Sequence, residues 1–223
     1  LYDQEMNDWD VAVVTNFDSM FQNAEAFNRP LNNWNTGEAQ NMAEMFYGAT
    51  LFDQDIDNWN TSFVTTMFQM FREAAAFNRS LDSWNVASVT TMQGMFQNAT
   101  SFNSSINNWN VRAVTTMQDM FRGATSYNQS LNNWRVTNVG NMDRMFNGAT
   151  ALDQSFDQWL IGTVSMRDMF HDATAFNQYL GDWNVSNVTN MQGMLDDSSL
   201  SRENYDNTLI AWSEQTLTPG ITL

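Results

Sequence analysis

The nine tryptophans of this chain keep a fixed interval. Trp9, Trp34, Trp59, Trp84, Trp109, Trp134 and Trp159 follow one another every 25 residues, and Trp183 and Trp212 come at intervals of 24 and 29. The methionines keep the same interval. Apart from Met6 they fall in pairs three residues apart, from Met42/Met45 through Met117/Met120 to Met191/Met194, and Phe17 and Met20 hold those places in the first repeat. A fixed period of 20 to 50 residues is the signature of a repeat architecture whose units cannot bury their apolar faces alone. The large apolar residues are therefore assigned to a repeating core.

Within one repeat, Met92, Met95, Phe96 and Ala99 follow the spacing i, i+3, i+4, i+7. That spacing predicts one face of a short helix of two to three turns. Phe102, Ile106 and Trp109 are separated by Asn and Ser, which favour turns and local bonds to backbone. The stretch around each Trp predicts a short extended piece laddered in parallel with its neighbours. The predicted fold class is an α/β repeat solenoid, leucine-rich-repeat-like. It has about eight 25-residue coils, each with a short extended segment and a short helix, and a C-terminal helical cap.

The repeat loses register towards the end. One residue is missing between Val164 and Met166, and Leu195 and Ser198 replace the usual Phe and Ala. Ser201 and Asn204 read as a helix start, with Tyr205, Leu209 and Trp212 on one face. The chain is accordingly divided into a repeat region, 1–198, and a cap, 199–223. Leu1-Tyr2-Asp3-Gln4 already matches the middle of a repeat, so upstream sequence is expected to be missing.

Net charge is −16 and the isoelectric point is near 4.1. An acidic surface argues against nucleic acid and against anionic membrane as partners. There is no cysteine and no lysine. No stretch approaches the roughly 20 apolar residues of a membrane span.

The segment Phe77-Asn78-Arg79-Ser80-Leu81-Asp82-Ser83-Trp84-Asn85-Val86-Ala87-Ser88-Val89-Thr90-Thr91-Met92-Gln93-Gly94-Met95-Phe96 resembles the bacterial surface protein repeat of the BspA-like leucine-rich-repeat group. The resemblance covers residues 1 to about 198. Asn204 to Trp212 also resembles the segment that closes such arrays. Gly37-Glu38-Ala39 and Leu152 depart from the pattern without breaking it. The resemblance implies an extracellular or cell-surface protein with an adhesion or recognition role, and no catalytic residues. The expected partners are a protein or glycan at a cell surface, or copies of the chain itself as a structural subunit of an extracellular filament or layer.

Few residues are left for chemistry. His171 stands beside Asp168 and Asp172, in a place that is Gln22, Arg72, Gln97 or Arg122 elsewhere, and reads as a variable solvent-facing residue. A single histidine cannot supply a His-based metal site. Two columns of Asn and Asp recur, one before each Trp and one at Asn28, Asp53, Asn78, Asn103, Asn128, Asp153 and Asn177. They read as a side-chain ladder that satisfies backbone groups. The functional alternative is calcium at an acidic cluster, with Asp53, Asp55 and Asp57 as candidate ligands. No other cofactor is expected.

The threonine rows, such as Thr65-Thr66 and Thr90-Thr91, are interrupted at Gly140-Asn141, which argues against an ice-ordering array. They read as helix N-caps. Asn-x-Ser/Thr triplets at Asn60, Asn78, Asn98, Asn103, Asn128, Asn184 and Asn187 arise readily in a chain this rich in Asn, Ser and Thr. Gln69, Gly94, Asp119 and Arg144 mark the outward position where repeats differ and a ligand could be read.

Overall fold

The computed structural model describes residues 4–222. The reading of Leu1, Tyr2 and Asp3 as part of a repeat falls outside them. The chain winds into stacked coils joined by seven isolated parallel bridges: Asn16↔Asn41, Asn41↔Thr66, Thr66↔Thr91, Thr91↔Thr116, Thr116↔Asn141, Asn141↔Ser165 and Ser165↔Asn190. Each coil is built from successive tight turns. In the repeat ending at Phe102, Trp84 N–H reaches Leu81 O, Val89 reaches Val86, Met95 reaches Met92, Gln97 reaches Gly94 and Ala99 reaches Phe96. The remaining amides point along the stack. Met92, Gly94, Phe96 and Asn98 donate to the carbonyls of Thr116, Gln118, Met120 and Arg122 in the next coil.

This arrangement corrects the α/β, leucine-rich-repeat-like expectation. No coil holds a helix among the described residues, and no strand ladder runs at the Trp: Trp84 stands between two tight turns, closed by Trp84 N–H to Leu81 O and Val89 N–H to Val86 O, while the parallel bridges fall at Thr91 and its counterparts. Among the described residues the one helix is α1, Arg202–Ser213. The Met-x-x-Met-Phe stretch cannot be helical because every fourth residue is left-handed: Gly94 has φ 61° and Asn98 φ 57°, as do Gln69 and Glu73 (50° and 60°) or Asp119 and Gly123 (56° and 68°). An α-helix needs φ near −60° throughout, and a non-glycine residue in the left-handed region breaks it. Consecutive four-residue turns nevertheless bring residues four apart to the same side. The pattern i, i+3, i+4, i+7 therefore suits a chain of turns as well as two turns of helix.

The threonines are corrected with it. They cap no helix. Thr65, Thr90 and Thr115 donate their hydroxyls to Gln40 O, Thr65 O and Thr90 O, one coil back. Thr91 Oγ1 accepts from Gln93 N–H two residues on.

Apolar side chains form continuous columns inside the stack. Trp34, Trp59, Trp84, Trp109 and Trp134 lie nearly parallel, with centroids 6.1–6.5 Å apart. Phe21, Phe46, Phe71 and Phe96 form a second column at 5.3–5.7 Å. Each indole nitrogen also donates to a carbonyl one coil back: Trp84 to Ile56 O, Trp109 to Leu81 O and Trp134 to Ile106 O, at 2.9–3.0 Å. The ring is buried with its one donor satisfied, which removes the penalty for burying it.

Helix α1 lies against the last coil. Ser201 caps it by accepting from Asn204 N–H. Trp212 is buried and its Nε1 donates to Leu180 O, while Thr208 Oγ1 accepts from Leu180 N–H. No helix among the described residues is long and apolar enough to cross a membrane.

Candidate functional site

The interior offers no chemistry. Its columns are Met, Phe, Trp, Leu, Val and Ala, and the buried polar or charged residues are Thr36, Thr61, Asp119 and Thr208. Tyr127 replaces Phe in its column, and burial pushes its phenol well above the ordinary value. Functional groups therefore have to sit on outward turns.

Asp53, Asp55 and Asp57 belong to the side-chain ladders and do not converge. Asp53 Oδ1 accepts from Asn78 N–H at 3.0 Å and its Oδ2 faces Arg79 Nη2 at 2.7 Å. Asp55 Oδ1 accepts from Asp57 N–H, and Asp57 Oδ1 from Ser83 N–H. The ladder that begins at Asn28 is unbroken. Asn28 accepts from Asp53 N–H, Asn78 from Asn103, Asn103 from Asn128, Asn128 from Asp153, Asp153 from Asn177 and Asn177 from Ser201. Each side chain thus fixes the coil that follows, and the last rung positions the residue that caps α1.

Among the described residues, the His, Asp and Glu atoms that meet as a group of three belong to His171, Asp172 and Asp197, within 4.8 Å of one another. His171 is 32% exposed and its Nε2 lies 3.3 Å from Asp172 Oδ2. The stack brings Asp172 and Asp197 together because they are 25 residues apart in adjacent coils. That interval is visible in the sequence, but the neighbours of His171 along its own repeat do not reveal it.

The column of Gln69, Gly94, Asp119 and Arg144 is no helix face. It is the left-handed position of each coil. Asp119 and Arg144 also spend their charges on each other, with Nε–Oδ1 at 2.8 Å and Nη2–Oδ2 at 3.0 Å. This hydrogen bond, with the surrounding carboxylates, raises the Arg144 pKa.

Cavities lie along α1, beside Tyr179 and Asn204 and beside Met191 and Leu209, and two more lie on the coils. One, about 370 Å³, opens on the first coil and is lined by Trp9, Met20, Phe21 and Ala24 among others, with Trp9 48% exposed. The other, about 340 Å³, lies on the side of the stack between two coils. It is lined by Asn107, Asn108, Asn110, Arg112, Asn133 and Arg135, over the buried Trp109 and Val111.

The two arginines there differ from the rest. The chain has nine basic residues, all arginine. Seven have a carboxylate within 4.0 Å: Arg29, Arg72, Arg79, Arg122, Arg144, Arg167 and Arg202. The two that have none among the described residues are Arg112 and Arg135. Sequence reading missed them, although both stand out within their columns: Arg112 among Gly37, Ser62, Ala87, Thr137 and Ser186, and Arg135 among Asn35, Asn60, Asn85, Asn110 and Asn184.

No curated protein matches the chain. A family model described as "Mycoplasma protein of unknown function, DUF285" matches it over three overlapping stretches, residues 1–84, 69–166 and 133–218. The matched stretches together run across nearly the whole coil stack and α1, as a tandem bacterial repeat does. The chain belongs to the DUF285 family.

Proposed function

We propose that this chain is a cell-surface or secreted repeat protein that acts as a binding module through the outward turns of its coils. The observation that carries this reading is a division of labour within each 25-residue unit. Inward positions repeat from coil to coil, while outward positions change without affecting the core. Such a frame displays different side chains at fixed spacing, which suits recognition. The resemblance of Phe77 to Phe96 to BspA-like surface repeats supports the same setting. We assign the chain no catalytic step. Its partner on this reading is a protein or glycan of a cell surface.

The test is to screen the purified chain against glycan and host-protein arrays. A ligand captured reproducibly, and lost when outward residues of one coil are exchanged, is the expected result. Capture of nothing would overturn the reading.

A second reading, a structural subunit of a filament or layer, draws on the first coil. The carbonyls of Asn16, Asp18, Met20 and Gln22 have no partner among the described residues, although their counterparts Asn41, Ala43, Met45 and Tyr47 each accept from the coil before. Such a row invites a further coil. Helix α1 weighs against end-to-end growth, because Trp212 occupies the next place of the Trp column at the other end. Light scattering across a concentration series separates the readings: a constant mass near 25.6 kDa belongs to the module and growing assemblies to the subunit.

A further inference from the structure

We propose that the cavity between Arg112 and Arg135 binds an acidic sugar, a uronic-acid residue of an oligosaccharide, through its carboxylate and ring hydroxyls. The proposal rests on the binding-module reading and names its ligand class. Three observations support it.

The first is charge. In a chain of net charge −16, seven arginines are neutralised by carboxylates, and the two that are not line one cavity. An unpaired guanidinium is a ready bidentate partner for a carboxylate.

The second is a local rule broken in the fold. At the position of Arg135, six other repeats carry Asp10, Asn35, Asn60, Asn85, Asn110 or Asn184. Each of these accepts through Oδ1 from the N–H two residues on, at 3.1–3.4 Å. That side-chain turn closes the bend after the Trp. Leu160 and Arg135 cannot close it, and at Arg135 the Thr137 N–H is left without that acceptor while a charged group is placed on the cavity. Local consistency is given up with no gain visible inside the fold, which is the mark expected of a functional position. Arg112, one coil earlier, likewise replaces residues no larger than Thr in most other repeats.

The third is the rest of the lining. Asn107 uses its Oδ1 to accept from Asn133 N–H at 3.0 Å. The side-chain amide N–H groups of Asn107, Asn110 and Asn133 have no acceptor among the described residues, and they suit hydroxyl oxygens. Asn108 is held by Asp82 at 3.3 Å. Trp109 and Val111, nearly buried, form a small apolar floor beneath these groups, against which the face of a sugar ring can pack. A volume of about 340 Å³ falls in the usual range for small-ligand sites. The net charge of −16 repels densely charged chains, so the fit is to a sparsely charged sugar and not to a heavily sulfated one.

The test uses the 223-residue chain and the double variant Arg112→Ser/Arg135→Asn. Both substitutions install residues found at the same places in other coils, and the asparagine placed in the Arg135 position can restore the side-chain turn. The melting temperature of the variant is therefore expected to equal or exceed the parent's. Binding of a glucuronate-containing tetrasaccharide is followed by calorimetry, with a neutral tetrasaccharide, a heparin fragment and an Asp/Glu-rich peptide as comparisons. The expected result is preference for the glucuronate sugar, weakening with added salt, and at least a tenfold loss in the variant. Equal binding by parent and variant, no binding of the glucuronate sugar, or preference for heparin or the peptide would each overturn the proposal. The array screen keeps the two claims apart. A ligand held equally by parent and variant removes this site and leaves the module reading, whereas capture of nothing removes both.

Discussion

Trp212 Nε1 donates a 3.0 Å hydrogen bond to the carbonyl of Leu180, repeating from a helix the bond that Trp183 makes from a turn to Phe156 O. The helix thus adds one more place to the Trp column and fastens itself to the last coil. Replacing Trp212 by Phe keeps most of the ring and removes the donor, while Leu180 O keeps the Trp183 N–H as its other partner. A loss of about 0.5–1.5 kcal/mol is expected, and Trp212→Ala is expected to cost about 3–5 kcal/mol. Chemical denaturation gives the totals. Hydrogen exchange should show α1 opening first.

Tyr127 carries a buried hydroxyl with no hydrogen-bond partner, in a column that is Phe27, Phe52, Phe77, Phe102 and Phe176 elsewhere. Tyr127→Phe removes a desolvated polar group and should stabilise the fold by about 1 kcal/mol. The phenol also sets a pH dependence. Its pKa is raised in the fold, so from about pH 10 upward the unfolded chain releases the proton first and stability falls. Thermal melts at about pH 8 and about pH 11 should show that decline reduced in Tyr127→Phe.

Asn103 accepts from Asn128 N–H at 2.9 Å and from Gln129 Nε2 at 3.1 Å. Asn103→Ala strands both donors and should cost about 1–3 kcal/mol. Asn103→Asp should be tolerated, because Asp53 and Asp153 already serve in the same column. Melting temperatures of the two variants decide whether the column is a structural ladder.

Calcium is expected to leave stability unchanged. Asp53, Asp55 and Asp57 accept from backbone N–H groups or face arginine, and they are not gathered round a common point. Melting curves with EDTA and with millimolar calcium should superimpose. A rise with calcium that Asp53→Asn abolishes would restore the metal reading.

Removal of residues 85–109 deletes one full period and joins Trp84 to Asn110, so that Thr66 can meet Thr116 as it met Thr91. The shortened chain should still fold, with lower stability and a smaller dependence on denaturant, because less surface is buried. Removal of only about half a period puts inward columns on the outside and should abolish folding.

The stacking, the inward columns and the Asn ladder were legible because each depends on one interval. Residues 25 apart must meet once coils stack, whatever the shape of the coil. The local conformation was not legible. Met92, Met95, Phe96 and Ala99 suit a helix face and a run of turns equally well, and the difference lies in the left-handed backbone at Gly94 and Asn98. Glycine and asparagine at those places were a signal for turns, but Gln69, Asp119 and Arg144 in the same column concealed it.

The period, the composition of the core and the excess of negative charge are properties of the residue string, because they follow from which residues recur and how often. Which outward side chains are spent on their neighbours is a property of the stack. Asp53 is taken up by Asn78 and Arg79, and Asp119 by Arg144, across coils that stacking brings into contact. Arg112 and Arg135 are left over on a shared cavity for the same reason. Pairing across the stack depends on the register and direction of neighbouring turns, which no single repeat contains.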